Sequence, residues 1–199
     1  MKTAIVAVFF SLGIFGFTQA QIKYGVESGF VLTNYIESGW VSALANEHLP
    51  TMSFNLGGNA GINLWKSDFN IQVGILYTYW RVKMKIPDAV VPHAAPYVDR
   101  LSWTEKFHSF DMPLIIQYKY EEWLVPNIGL VGSFNICDEF KNHSLNLFSY
   151  GWTAGVDFFI YKHYIIGAKY FKELTPMGRN INENNCYRQY YGLKLGYLF

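Results

Sequence analysis

The stretch SFNLGGNAGINLW, residues 53–65, decides the fold because its residues alternate in character with a period of two. One set of alternating positions is apolar: Phe54, Leu56, Ala60, Ile62 and Leu64. The other set is small or polar: Asn55, Gly57, Asn59, Gly61 and Asn63. Successive side chains of a β-strand point to opposite faces. The stretch therefore predicts a strand with one apolar face and one polar face.

The same alternation recurs along the chain. In the last segment, apolar or aromatic Tyr187, Tyr191, Leu193, Leu195, Tyr197 and Phe199 oppose Arg188, Gly192, Lys194 and Gly196. We predict strands at residues 22–34, 53–65, 69–81, 107–120, 123–136, 149–161, 164–175 and 186–199. A tilted strand needs about 9–11 residues to cross a bilayer. Each segment is long enough to do so.

The connections between these segments alternate between short and long. Residues 66–68, 121–122 and 162–163 form the short ones, and residues 35–52, 82–106, 137–148 and 176–185 form the long ones. Outer-membrane barrels combine short periplasmic turns with longer extracellular loops. We therefore predict an all-β fold, a single eight-stranded antiparallel up-and-down transmembrane β-barrel in the cell outer membrane. An even number of strands places both termini in the periplasm.

The first 20 residues are typical of a secretory signal peptide. Lys2 precedes an apolar run over residues 4–17, and residues 18–20 form a small-residue cleavage site. We therefore predict a signal peptide at residues 1–20 and a barrel domain at residues 21–199. The rest of the chain has no apolar run of helix-spanning length, and a membrane protein without one must be a barrel.

Composition agrees with this prediction. Aromatic residues make up 19% of the chain and charged residues 16%, against a usual charged share of roughly 25%. The formal net charge of +1 gives no indication of a nucleic-acid partner.

Aromatic residues gather near both ends of the predicted strands, as amphipathic rings do at membrane interfaces. One band lies near the short turns: Tyr24, Trp65, Phe69, Tyr118, Tyr120, Trp123, Tyr164, Tyr197 and Phe199. The other lies near the long loops: Phe54, Tyr79, Phe110, Phe134, Tyr150, Tyr170 and Tyr187.

A few positions depart from the pattern. Four large apolar residues fall on the otherwise polar face: Leu76, Trp80, Ile165 and Phe171. Either they fill the lumen or the register slips at a bulge. Pro113 and Pro126 lie within predicted strands, where proline removes a ladder hydrogen bond. Each is expected to mark a bulge or a strand edge.

One segment resembles a known family. Residues 110–120, FDMPLIIQYKY, are similar to the L-E-x-P-L-L-x-K-Y strand of the PorT-like, porin-family outer-membrane β-barrel domain of Bacteroidetes. Residues 126–132 resemble the P-Y-x-x-x-G strand that follows in this family, and residues 168–170 resemble its A-R-Y strand. Asp111 stands where the family usually has glutamate, and Lys169 where it has arginine.

The resemblance covers nearly the whole chain after residue 20. It implies an eight-stranded barrel in the outer membrane, and it does not imply one activity. The ending GYLF, with Tyr197 and Phe199, looks like the C-terminal aromatic signal that barrel-assembly machinery recognises.

Eight charged residues fall on the polar face: Lys23, Glu27, Lys119, Asp157, Lys169, Glu173, Arg188 and Lys194. Charges that face lipid at mid-bilayer cost about 2–4 kcal/mol, so we expect them to face the lumen. Counting residues from the turns and termini predicts three pairs: Asp157 with Lys169, Glu27 with Lys194, and Glu173 with Arg188. Such pairs would form a salt-bridge network that fills the lumen, because eight strands leave room only for side chains.

The histidines give little support for an enzyme. They are His48, His93, His108, His143 and His163. The sets that could serve a hydrolase at the barrel rim are His108 with Ser109 and Asp111, and His143 with Ser144, Asp138 and Glu139. Neither matches a barrel-enzyme motif, and a triad depends on geometry rather than adjacency. We therefore expect no catalytic site, no cofactor and no metal site.

The two cysteines, Cys137 and Cys186, lie near the long loops. An exported protein meets oxidising conditions in which disulfides persist. A bridge requires their Cα atoms to approach within about 7 Å. A disulfide and two separate thiols both remain open.

The leading functional prediction is a structural or interaction barrel with loops outside and a largely plugged lumen. Its expected partners are outer-membrane lipid and lipopolysaccharide, barrel-assembly machinery, and an unknown extracellular or periplasmic protein. Three further functions are a narrow pore for small solutes, a rim enzyme, and a secreted lipocalin-like binding barrel. The last needs a hydrophilic outer surface, which the glycine- and asparagine-rich polar face of residues 55–63 does not resemble.

Overall fold

The computed structural model describes residues 22–38, 47–64, 67–85, 102–137, 144–161, 163–179 and 185–199. The predicted signal peptide, residues 1–20, lies outside this part. The strands are β1 (Ile22–Ser38), β2 (Glu47–Leu49), β3 (Thr51–Asn63), β4 (Phe69–Lys85), β5 (Ser102–Tyr118), β6 (Leu124–Cys137), β7 (Ser144–Leu145), β8 (Phe148–Ile160), β9 (Tyr164–Glu173), β10 (Gly178–Arg179) and β11 (Asn185–Leu198).

Eight of these strands form a closed antiparallel barrel. Their order is β1, β3, β4, β5, β6, β8, β9 and β11, and β1 pairs with β11 to close the cylinder. The predicted all-β, eight-stranded antiparallel up-and-down fold is therefore confirmed. The short strands extend it, because β2 pairs with β4, and β10 pairs with β11 and β7. Closure leaves no free edge in the eight-stranded ring.

Three barrel strands are longer than the sequence pattern predicted. β1 continues to Ser38, β4 continues to Lys85, and β5 begins at Ser102. Ladder pairing extends this far, as in the pair Lys85–Ser102. Backbone pairing continues beyond the apolar alternation from which the boundaries were predicted.

The short turns and both described chain ends lie at the same end of the barrel, which we call the turn end. The backbone N–H of Phe199 donates to the carbonyl of Tyr24 at 2.9 Å, and that of Leu198 donates to the carbonyl of His163 at 2.8 Å. Tyr161, in the last turn, has a φ of 50°. We call the opposite end the loop end.

Burial is inverted relative to a water-soluble protein. Apolar residues on the outer face are exposed, such as Phe30 at 64% and Leu193 at 66%. Polar residues on the inner face are buried, such as Asn55 at 2% and Ser133 at 0%. Among the described residues, no helix has the length and apolarity needed to cross a membrane.

The large apolar residues on the inner face occupy the lumen. Leu76, Trp80, Ile165 and Phe171 are all buried, so the alternation continues through them without a slip. Trp80 stacks on Phe107 with a centroid separation of 4.0 Å. A second apolar group consists of Val31, Val131, Phe171 and Tyr190.

The two prolines interrupt pairing in different ways. Across from β4, pairing of β5 stops at Leu114 and resumes at Asp111, so that Pro113 lies in a gap of two residues on each strand. Equal numbers on both strands make this a gap rather than a bulge. Pro126 is the third residue of β6 and lies beyond Asn127, the last residue that β6 pairs with β5. It therefore lies near the start of β6, where the strand still pairs with β8 but no longer with β5.

Aromatic rings lie on the outer face near both ends of the barrel. At the turn end, Phe69 and Tyr118 pair in register with centroids 5.0 Å apart. Toward the loop end, Phe54 and Tyr79 pair in register with centroids 5.5 Å apart. Trp65 lies outside the described residues. At each end, rings on neighbouring strands thus pack against one another in cross-strand pairs.

Candidate functional site

The lumen near the loop end is organised around one buried arginine. Arg188 of β11 has no exposed surface. Its Nη2 atom lies 3.1 Å from Oδ1 of Asp111, and its Nε atom lies 3.6 Å from Oε1 of Glu173. Its Nη1 and Nη2 atoms donate to the hydroxyls of Ser109 and Ser133, each at 2.8 Å. We call these five residues the arginine cluster.

Further donors satisfy the two carboxylates of this cluster. The Thr78 hydroxyl donates to Oδ2 of Asp111 at 2.7 Å. The Ser149 hydroxyl donates to Oε1 of Glu173 at 2.8 Å, and the backbone N–H of Arg188 donates to Oε2 at 2.7 Å. Buried charges are tolerated when they are paired and hydrogen-bonded. These contacts explain how three ionisable groups remain inside the barrel.

Aromatic rings surround the guanidinium group. The Cζ atom of Arg188 lies 4.9 Å from the ring centre of Phe171, 5.5 Å from that of Trp80 and 5.9 Å from that of Tyr190. Such distances allow cation–π attraction, and a planar guanidinium suits both ring faces and carboxylates. Charge pairing and ring packing thus occupy the same cross-section of the lumen.

A second charged group lies closer to the turn end. The Nζ atom of Lys194 lies 2.7 Å from both carboxylate oxygens of Asp157. The Nζ atom of Lys169 lies 3.7 Å from Oε1 of Glu27. Side-chain amides add to it: Gln117 donates to Asp157 at 3.3 Å, and Asn59 donates to Glu27 at 3.0 Å. We call the four charged residues the lysine cluster. Its formal charges balance.

The structure exchanges two of the pairs that the sequence predicted. Asp157 was expected to pair with Lys169, and Glu27 with Lys194. Instead Asp157 pairs with Lys194, and Glu27 with Lys169. Counting residues from the turns misses the register, in which Asp157 lies opposite Gly167 and Gly167 lies opposite Lys194.

Glycine allows the Lys194–Asp157 contact to cross the intervening strand. A Cβ atom at Gly167 would lie 2.3 Å from Oδ1 of Asp157 and 3.2 Å from Cε of Lys194. A side chain there would therefore separate the two charges. In the same way, Glu27 lies opposite Gly196 on β11 and Gly57 on β3, which leaves it space to reach a lysine two strands away. The third predicted pair, Glu173 with Arg188, is present at 3.6 Å.

The remaining two predicted lumen charges, Lys23 and Lys119, lie at the turn end. Both line a cavity of about 430 Å³. Its wall is polar on one side, with Asn59, Asn70 and Gln117 among its residues, and apolar on the other side, where Val125, Phe159, Ile165 and Leu198 lie.

The sequence reasoning missed five of the residues that contact Arg188 or its two carboxylate partners. Asp111 was noted only as a family-motif residue and a possible triad member, and Ser109, Ser133, Thr78 and Ser149 were not placed in the lumen. The inward position of each follows from the alternation along its own strand, as for Ser109 and Asp111, which lie between buried Phe107 and Pro113 on β5. A buried guanidinium needs several acceptors, and that requirement was the signal that could have found them.

The first histidine set is not a triad. His108 faces outward, where its Nδ1 atom lies 2.5 Å from the Tyr77 hydroxyl. Ser109 and Asp111 are buried in the lumen against Arg188, on the other side of the β5 backbone. The set of Asp138, Glu139, His143 and Ser144 has no described side chains. In the described part of the chain, no group of three His, Cys, Asp or Glu residues could hold a metal ion.

Two sets of residues that the sequence analysis singled out lie near the barrel ends, the cysteines at the loop end and the C-terminal aromatic residues at the turn end. Cys186 is buried, but the side chain of Cys137 lies outside the described part of the structure, so a disulfide and two separate thiols both stay open. At the turn end, the ring of Tyr197 lies 5.3 Å from that of Phe199 and 5.3 Å from that of Tyr164. The C-terminal aromatic residues therefore belong to the ring band at this end of the barrel.

No protein-family model matches the chain, and no curated protein matches it. Among solved structures, Neisserial surface protein A is 17% identical with a TM-score of 0.54, and the match covers 88% of this chain and 97% of that one. Ail of Yersinia pestis, in complex with the heparin analogue sucrose octasulfate, is 14% identical with a TM-score of 0.49, covering 90% and 99%. The N-terminal β-barrel domain of Pseudomonas aeruginosa OprF is 12% identical with a TM-score of 0.41, covering 91% and 100%.

At these identities, the likeness to Neisserial surface protein A shows a shared barrel fold and nothing further. The resemblance to the PorT-like family stays a prediction.

Proposed function

We propose that the chain is an outer-membrane β-barrel protein with a structural or interaction role, with its loops outside and its lumen largely plugged. The observation that carries this proposal is the inverted burial: exposed apolar residues outside, and buried, ion-paired polar residues inside. Lipid is the solvent in which such an outer face is stable, and a closed barrel satisfies its backbone there.

Three layers of side chains support the plugged lumen. The arginine cluster, the apolar group of Val31, Val131, Phe171 and Tyr190, and the lysine cluster follow one another toward the turn end. Eight strands leave little interior space beyond what side chains fill. The cavity at the turn end would give a narrow pore an entrance, while the buried layers above it favour a closed path.

A lipocalin-like barrel and a rim enzyme both fit the structure less well. A lipocalin-like barrel would bury an apolar inner face and expose a polar outer face, which is the reverse of the burial seen here. A rim enzyme loses its first candidate set, since His108 and Ser109 face opposite sides of β5. We therefore expect no enzymatic activity from the described residues.

The proposed partners follow from the placement of the barrel in the outer membrane. Outer-membrane lipid and lipopolysaccharide would contact the exposed apolar face. Barrel-assembly machinery would recognise Tyr197 and Phe199, and a protein partner would meet the loops or the turn end. The turn end would face the periplasm, as the short turns and the even number of strands predict.

The test is reconstitution followed by two measurements. The full chain without residues 1–20 is refolded into lipid vesicles, and its gel migration is compared with and without boiling. A faster-migrating unboiled form is expected, because a closed barrel unfolds reluctantly. The same sample is then inserted into planar bilayers, where the plugged lumen predicts no stable single-channel conductance. Equal migration before and after boiling would refute the membrane barrel, and a large steady conductance would refute the plugged lumen.

A further inference from the structure

The cavity at the turn end is divided into a polar half and an apolar half. Strands β1, β3, β4 and β5, which are consecutive in the ring, form the polar half together with the turns that join them. Its side chains include Lys23, Asn59, Asn70, Gln72, Gln117 and Lys119. The other four strands of the ring contribute the apolar half: Val125, Phe159, Ile165 and Leu198. Inner walls of membrane barrels are ordinarily polar, so the apolar half calls for a reason of its own.

The amide of Gln72 is buried in the polar half without a hydrogen-bond partner. Its side chain is only 7% exposed, and it lines the cavity. Among the described residues, no hydrogen bond reaches this amide, which has two N–H donors and one acceptor oxygen. Gly61 lies directly opposite on β3 and has no side chain that could pair with it. A buried amide without partners costs free energy, and a bound molecule with donors and acceptors would offset that cost.

A chain of hydrogen bonds leaves a second amide of the polar half incompletely used. Nε2 of Gln117 donates to Oδ2 of Asp157 at 3.3 Å, and Nδ2 of Asn70 donates to Oε1 of Gln117 at 2.6 Å. The Asp157 carboxylate sets the direction of this chain, because an ionised carboxylate can only accept. The Oδ1 atom of Asn70 is then left buried without a partner. The polar half therefore has an acceptor oxygen to offer in addition to the amide of Gln72.

Four charged side chains line the cavity close to water, two of each sign. Lys23 and Lys119 are exposed cations, and Asp68 and Glu122 in the adjoining turns are exposed anions. Among the described residues, none of the four takes part in an ion pair. Their formal charges cancel, so they match a ligand that itself carries one charge of each sign.

We propose that the cavity at the turn end binds a short zwitterionic peptide with an apolar side chain. This inference rests on the proposed function, because the peptide would reach the turn end from the periplasm. Each peptide unit has an N–H donor and a carbonyl acceptor, which are the groups that the two unused amides require. The peptide carboxylate pairs with the two lysines, and the peptide ammonium group pairs with the two acidic residues. The apolar side chain packs against the apolar half.

The size and the closed inner end of the cavity restrict the peptide to a few residues. The volume of about 430 Å³ lies in the lower part of the range for ligand pockets, roughly 300–1,000 Å³. At the inner end, Asn59 and Gln117 are hydrogen-bonded to Glu27 and Asp157 of the lysine cluster. A longer chain has no path beyond these residues, so both ends of the ligand stay beside the exposed charges.

The experiment measures peptide binding to the full chain without residues 1–20, refolded into lipid nanodiscs, by isothermal titration calorimetry. The four probes are the peptide Ala-Leu-Ala, the same peptide with an acetylated N-terminus and an amidated C-terminus, Gly-Gly-Gly, and sodium octanoate. Gln72→Leu removes the buried amide at similar size, and Lys23→Gln/Lys119→Gln removes two cations from the cavity. Lys83→Gln/Lys172→Gln is the charge-matched control, because both lysines are exposed near the loop end.

Ala-Leu-Ala is expected to bind the wild-type protein at least about tenfold more tightly than the capped peptide, since only free ends make charge-assisted contacts. It should also bind at least about tenfold more tightly than Gly-Gly-Gly, which buries no apolar side chain. Gln72→Leu and the double variant of the cavity should each weaken the binding of Ala-Leu-Ala by about tenfold. The control variant should bind it as the wild-type protein does.

Equal binding of the free and capped peptides would overturn the proposal, and so would unchanged affinity in both cavity variants. Octanoate that binds as tightly as Ala-Leu-Ala would assign the cavity to apolar anions and would also overturn it. Heat-modifiable migration of each sample reports whether the barrel has folded. A heat-modifiable wild-type barrel that binds no peptide refutes the peptide site alone. A wild-type sample whose migration is unchanged by boiling refutes the proposed function, and this inference with it.

Discussion

The ammonium group of Lys194 lies 2.7 Å from the carboxylate of Asp157, although β9 runs between their two strands. The contact passes over Gly167, the residue that lies opposite both of them. Each partner is buried, so each depends on the other for its charge to be tolerated. This relationship leads to the first two predictions.

We predict that Lys194 and Asp157 are energetically coupled. Lys194→Met or Asp157→Asn alone should each lower the free energy of unfolding, by about 3–5 kcal/mol when an unpaired charge is left buried. The double variant should lose clearly less than the sum of the two single losses. Urea unfolding of the barrel in lipid vesicles measures all three.

The cycle of Lys169→Met with Asp157→Asn is the matched comparison. Because Lys169 contacts Glu27 instead, its coupling to Asp157 should be smaller. A larger coupling energy for Lys169 with Asp157 than for Lys194 with Asp157 would show that Asp157 pairs with Lys169 in the folded barrel.

We predict that Gly167→Ala weakens the barrel. The new Cβ atom would lie 2.3 Å from Oδ1 of Asp157, and overpacking of this kind costs about 1–3 kcal/mol. Gly58→Ala is the control, since Gly58 is exposed and a Cβ there has only the carbonyl of Gly25 near it, at 3.7 Å. The control should change the free energy of unfolding by no more than about 0.5 kcal/mol. Equal effects of the two substitutions would contradict the close approach at Gly167.

We predict that Arg188→Lys is strongly destabilising although it keeps the charge. One ammonium group cannot contact Asp111 and Glu173 while also donating to both serines of the arginine cluster. The loss should be on the order of 3 kcal/mol, because hydrogen bonds to charged groups contribute about 1.5–3 kcal/mol each. Lys119→Arg is the control, because it makes the opposite substitution at an exposed position of the turn end. It should leave the free energy of unfolding nearly unchanged. Urea unfolding measures the loss. If the Arg188→Lys barrel unfolds at the wild-type urea concentration, the site does not require a guanidinium group.

We predict that deletion of Phe199 impairs assembly rather than stability. Its side chain is 73% exposed, and its backbone contributes one hydrogen bond, to Tyr24. That bond accounts for about 0.5–1.5 kcal/mol, so the refolded barrel should unfold at nearly the wild-type urea concentration. The level of protein in the outer membrane should nevertheless fall sharply, as measured in isolated membranes. Phe199→Tyr, which keeps a terminal ring, should assemble normally. Wild-type membrane levels of the truncated chain would refute the signal.

The sequence by itself determined the strands and which face each side chain occupies. A strand has a period of two, so alternation alone assigns residues such as Asn55 and Phe54 to opposite faces, and turn lengths assign the strand order. For Trp80 and Phe171 the alternation left two alternatives, a place in the lumen or a slip of register at a bulge, and their burial in the structure decided for the lumen. Alternation and turn length are local properties, because each depends only on neighbours along one strand or across one short turn.

Only the tertiary structure decided which charges meet inside the barrel. Contacts across the lumen depend on the register and tilt of every strand around the barrel. If one strand shifted by two residues relative to its neighbour, a charged side chain would meet a different partner. Glycines such as Gly167 then let a contact skip a strand, which pairs Lys194 with Asp157 rather than with Glu27. Arg188 likewise meets Asp111, 77 residues earlier in the chain, only because the barrel closes. Alternation along one strand carries no information about such distant partners. They are brought together only when the sheet closes into a barrel.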